Sequence, residues 1–104
     1  MNERAAVIAS YCMARFNSNL GCTTATAAFD LIEKKTGIPA GTVKTGMRDS
    51  FDYYFPWRKG WDLGESETKK MWEHYGLEDV FFTLNKFSEK ELVAILIALD
   101  IWIL

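Results

Sequence analysis

The sequence predicts an all-α protein of about five helices around a helix-turn-helix-like centre. Three observations predict it. Apolar residues recur at three- and four-residue intervals along successive stretches. Capping residues and glycines punctuate those stretches. Residues 24–59 read as helix, tight turn, helix and then a basic aromatic loop. The 104 residues are 49% hydrophobic and 14% aromatic, enough to give one domain, 1–104, its own core and to exclude a disordered chain.

The first helix is expected from about Asn2 to Phe16, with Asn2 as cap and Glu3 near the positive helix end. Ala5, Ile8, Ala9, Cys12 and Phe16 fall on one face, and Val7, Tyr11 and Ala14 widen it, so this helix should be well buried. Asn17-Ser18-Asn19-Leu20-Gly21 is a turn signal. The second helix follows Thr23 or Thr24 and runs to about Lys35. Its apolar stripe is Ala25, Ala28, Phe29 and Ile32; Lys34 and Lys35 suit its negative end, and Gly37 its left-handed exit. The third helix runs from about Thr42 to Tyr54, with Val43, Met47, Ser50, Phe51 and Tyr54 on one face and Gly41, Lys44, Thr45 and Arg48 on another. Gly41 and Gly46 would admit another backbone close by.

A fourth helix, started by Ser66 and running from about Glu67 to His74, is stopped by Gly76 and turns Met71 and Tyr75 inward, with Trp72 on a neighbouring face. Leu77 to Asn85 fits a short helix, a strand or a buried connector equally. Ser88-Glu89-Lys90-Glu91 is a capping box that opens the last helix. Residues 92–104 of that helix carry one charge, Asp100. Thirteen residues span about 20 Å, too short to cross a bilayer, and an all-round apolar helix needs cover on every side. It is therefore the central helix of the fold, an association surface through which residues 92–104 hold a homodimer, or part of a longer protein.

Charge is unevenly spread. Residues 1–60 hold eight basic and five acidic residues, and residues 61–104 hold four basic and nine acidic. The net charge of −2 excludes a strongly basic protein coating nucleic acid. A local patch at Lys34, Lys35, Lys44, Arg48, Arg58 and Lys59 can still meet a phosphate backbone; the alternative is an ordinary mixed surface. A helix-turn-helix places its second helix in the major groove of double-stranded DNA. On that reading Lys44 and Arg48 contact phosphate or base edges, Thr42 and Thr45 contact phosphate, and Arg58 and Lys59 contact backbone from the loop. Asp52, four residues after Arg48, competes for that arginine. Gly37 and Val43 occupy the familiar turn-glycine and buried-aliphatic positions. Glu33 stands where a small residue is usual and could hold the two helices apart, which would make the pair a plain αα-hairpin. Trp57 and Trp61 flank Arg58 and Lys59, and either stack on exposed bases or anchor the loop on the core.

Nothing points to catalysis, so no enzyme activity and no cofactor are expected. His74 is the only histidine and has no second metal ligand at a recognisable spacing. Glu65/Glu67, Glu78/Asp79 and Glu89/Glu91 read as solvated faces and helix N-terminal charges. Cys12 and Cys22 match no metal or redox motif and read as small buried hydrophobes. Met1-Asn2-Glu3-Arg4 lacks a signal-peptide pattern, so a cytoplasmic location is the expectation.

The runs Ala14-Arg15-Phe16, Ala28-Phe29, Gly37-Ile38-Pro39-Ala40-Gly41-Thr42-Val43-Lys44, Arg48-Asp49-Ser50-Phe51-Asp52, Phe55-Pro56 and Arg58-Lys59-Gly60-Trp61 together resemble a small helical domain at the N-terminus of some bacterial and phage restriction-type and HNH-type endonucleases. Leu77 and Ser88-Glu89-Lys90-Glu91-Leu92 are similar to its closing segment. The resemblance covers most of the chain and implies a DNA-handling accessory domain, linked to restriction or phage defence, with nuclease activity elsewhere in the larger proteins. No nuclease motif is present here, so catalysis does not carry over. Asp62, Glu65 and Glu67 replace the more basic stretch expected after Trp61, which weighs against DNA contact by that segment. A protein-interaction module, a small inhibitor or adaptor using the acidic second half and the apolar C-terminal helix, is the competing expectation.

Overall fold

The computed structural model describes residues 3–60 and 62–103; the expected Asn2 cap, the Trp61 ring and Leu104 lie outside them. Helix α1 spans Glu3–Phe16 and buries nine residues between Ala5 and Ala14. Its alanines let neighbours approach closely, and it packs against α2, the π-helical segment that follows, α3, α5 and α6. Helix α2 spans Ala25–Thr36. Thr24 caps it by accepting the Ala27 N–H at 3.1 Å, and Gly37 ends it in the left-handed region at φ 80°.

The third helix departs from regular α geometry. Residues Thr42–Arg48 form a π-helical segment that runs directly into α3, Asp49–Asp52; the Asp49 N–H reaches back five residues to the Lys44 carbonyl. Helix α4 spans Gly64–Tyr75 and ends on Gly76 at φ 62°. Residues Leu77–Leu84, compatible in sequence with three conformations, form helix α5. Helix α6 spans Glu89–Ala98, and both capping-box bonds are present: Ser88 Oγ accepts the Glu91 N–H at 3.2 Å and Glu91 Oε1 accepts the Ser88 N–H at 2.9 Å. The described residues are thus all-helical, with six α-helices and no strand.

Two expectations need correction. The central helix is α1. Helix α6 is peripheral and buries only Leu92 and Leu96, leaving Ile97 exposed. Nor does the last helix continue to residue 104. Asp100 adopts φ 61°, a left-handed conformation that Asp tolerates better than most residues, and its carboxylate pairs with Lys35 Nζ at 2.6 Å. Beyond it residues 101–103 adopt no regular secondary structure: Ile101 is buried, and the Ile103 N–H donates to the Leu20 carbonyl at 2.9 Å.

The core joins α1 to the third helix through Tyr11 and Phe51, edge to face with centroids 5.2 Å apart. Val43, Met47 and Phe51 are fully buried, as their shared face predicts, whereas Tyr54 is 43% exposed. A Cβ on Gly46 would lie 2.8 Å from the Tyr75 ring. That glycine lets α4 close against the π segment, while Gly41 has open space around it. Glu33 does not wedge the helix pair apart. It is exposed, and its Oε1 accepts the Ala40 N–H at 2.8 Å, satisfying an orphan donor at the start of the next helix. Both cysteines are free. Burial pushes the Cys12 thiol up to about 12, so it stays protonated and behaves as a small hydrophobe.

Candidate nucleic-acid interface

The expected basic surface is divided by the structure into three settings. Lys44, Arg48 and Arg58 converge with Asp49 on one open hollow of about 310 Å³. Lys44 and Thr45 are exposed on the outer side of the π segment. Thr42 and Thr45 face another hollow, of about 560 Å³, on the opposite flank of the segment, where Leu63, Glu67, Met71 and Tyr75 complete the wall. Glu67 brings negative charge to that wall, although Lys70 pairs with it at 3.1 Å. The Thr45 hydroxyl donates to the Gly41 carbonyl at 2.7 Å, so its proton is already spent.

Arg48 does not share the open face of Lys44 as α-helical spacing would place it. Its side chain turns inward instead, held by Asp49, Asp52 and the Phe29 ring. Only 8% of its side chain is exposed. Its Nε donates to Asp49 Oδ1 at 2.8 Å and lies 3.1 Å from Asp52 Oδ2, and its guanidinium sits 5.0 Å from the Phe29 ring centroid.

Asp52, 1% exposed, also receives Arg58, from Nε at 2.8 Å and from Nη2 at 3.2 Å. Arg58 Nη1 donates to Asn17 Oδ1 at 2.8 Å. These bonds tie the basic loop to the turn after α1. The i,i+4 spacing of Arg48 and Asp52 signalled the first of these pairs. Nothing in the spacing signalled Asn17, Phe29 or the closure by Arg58.

Protein-family models, curated proteins and solved structures yield no match to this chain.

Lys59 lies apart from the hollow. Its Nζ donates to the Tyr53 carbonyl and sits 5.2 Å from the Tyr53 ring centroid. The Trp57 indole N–H donates to the Arg15 carbonyl at 2.8 Å, which anchors the loop, while the residue stays 54% exposed. Among the described residues no group of His, Cys, Asp and Glu could hold a metal ion, and no helix is long and apolar enough to cross a membrane.

Proposed function

We propose that this chain is a non-catalytic DNA-binding module that engages the phosphate backbone of double-stranded DNA, in a setting of restriction or phage defence. The observation that carries the reading is the convergence of Lys44, Arg48 and Arg58 on one hollow at the flank of an exposed second helix. Lys44 supplies the mobile cation. Thr42 and Thr45 line the other flank, and Lys59 adds positive charge from the loop. Arg48 and Arg58 act from fixed positions, so reversing them would break the fold along with the interface. Lys44→Glu is the cleaner test. Binding to mixed-sequence duplex DNA should weaken steeply between low and moderate salt, because phosphate contacts release counterions. Lys44→Ala should lower the salt slope by about 1. Absence of binding at low salt would overturn the reading.

A second reading, a protein-interaction module, is favoured by a separate surface. Tyr54 and Phe82 are 43% and 60% exposed, and they are joined through Phe81 and Trp72 by ring contacts of 5.0 to 5.5 Å. Exposed aromatic rows of this kind mark association surfaces. Ile97 and Ile103, 44% and 50% exposed, would serve a homodimer through residues 92–104. Self-association insensitive to salt, read by sedimentation at micromolar concentration, would support it.

A further inference from the structure

We infer that the hollow lined by Lys44, Arg48, Asp49 and Arg58 is a socket for a single phosphate group, with Arg48 as its fixed donor and Lys44 as its closing cation. The inference deepens the DNA-binding reading by naming what enters the site, and rests on it only for the source of the phosphate.

A guanidinium carries five N–H donors. The Arg48 Nε donor is spent on Asp49, whereas its Nη groups donate to nothing among the described residues. The side chain is more than nine-tenths buried, where unpaired donors are costly. Thr68 Oγ1 is the one described side-chain polar atom that is both sealed from solvent and unpartnered, so the Arg48 Nη groups are not sealed, and the hollow is a surface that Arg48 lines. Two carboxylates and the Phe29 ring hold the guanidinium in place, so little side-chain entropy remains to be lost when a ligand arrives.

The charges agree. Three cations face Asp49 and the underlying Asp52, leaving a net +1 by 3 − 2. Arg58 has given Nε and Nη2 to Asp52 and Nη1 to Asn17, so it contributes field more than donors. Lys44 is exposed, makes no hydrogen bond or ion pair among the described residues, and has a flexible stem long enough to fold over a bound oxyanion. A tetrahedral phosphate offers oxygens to the Arg48 fork and the Lys44 ammonium at once, the pairing these two side chains favour.

The test follows the Arg48 Nε–Hε resonance by NMR in the intact chain during titration with inorganic phosphate, against chloride at matched ionic strength. A saturable phosphate-specific shift is expected. Lys44→Ala should weaken it about tenfold, the worth of one charge-assisted hydrogen bond, and Lys44→Arg should restore it. Identical responses to phosphate and chloride would overturn the socket. A second arm adds duplex DNA. If DNA binds and phosphate at matched ionic strength displaces it, the socket holds the backbone. If DNA fails to bind while phosphate binds, the socket stands for a free or terminal phosphate and the DNA reading falls. If DNA binds without moving the Arg48 resonance, the DNA reading stands on another surface; the socket then holds a free or terminal phosphate where phosphate alone shifts the resonance, and is overturned where it does not.

Discussion

Asp52 shows how one buried side chain can organise the basic surface around it. Fully desolvated, it is held by Arg48 and Arg58 and keeps both guanidiniums at fixed positions. Removing one partner of a buried ion pair leaves the others uncompensated, at a cost of about 3–5 kcal/mol. Because a quarter of the Arg58 side chain is exposed, Asp52→Asn should cost roughly 3 kcal/mol, at the lower end of that range. Urea unfolding measures this, and a loss below about 1 kcal/mol would show that the network does not clamp the loop. Thr68 presents the opposite case, since its hydroxyl is buried without a partner. Thr68→Val keeps the shape and removes the orphan, so the variant should be as stable as the parent or up to about 1 kcal/mol more stable. A clear loss in thermal unfolding would mean that the hydroxyl has a bound water. At this scale the sequence was partly legible. The Arg48–Asp52 spacing announced a pair, but the Phe29 ring against Arg48 and the capture of Arg58 by Asp52 and Asn17 arise only where the tertiary fold brings those residues near.

Among the elements, the punctuated ones were the most readable. Thr24, Gly37, Gly76 and the Ser88 box all mark helix ends where expected, because capping chemistry is local. The Ser88 backbone N–H, followed by its side chain, holds the Glu91 carboxyl below its usual range. A depressed native value stabilises the fold above the ordinary carboxylate pKa and ceases to do so as pH falls through the native one. Acid titration of stability should therefore show the gap between parent and Glu91→Gln shrinking below the ordinary range; a gap unchanged with pH would remove the charge from the cap. The third helix was legible as a helix but not as a π segment. A hydrophobic pattern that fits α spacing over one turn leaves the ladder's step undetermined, and the inward turn of Arg48 depends on Phe29, which lies on another helix. The Leu77–Leu84 stretch was ambiguous for a related reason: a short apolar run does not declare its period.

Over the whole molecule, the apolar composition of residues 92–104 was read as burial, yet Ile97 and Ile103 face outward; composition measures hydrophobicity, and position decides cover. The all-helical class was legible because periodicity repeats along most of the chain, whereas the placing of α1 at the centre required knowing which helices meet. The same large scale governs the turn at Gly21. It adopts φ 81°, and a Cβ there would lie 1.9 Å from the Ile103 carbonyl oxygen. Gly21→Ala should cost more than about 2 kcal/mol, combining the left-handed penalty with displacement of the C-terminal segment; thermal unfolding reads the loss, and a variant of parental stability would disprove the close approach. The Leu20–Ile103 hydrogen bond behind that contact also bears on time. It joins residues 83 positions apart, so its loop entropy is paid before the bond gives any return. A contact of that span is expected to form late in folding. Disturbing it should quicken the molecule's opening and leave its refolding rate nearly untouched; stopped-flow rates of that kind would make the short segment after α6 a latch on the folded state, and an equally slowed refolding would show that it docks early.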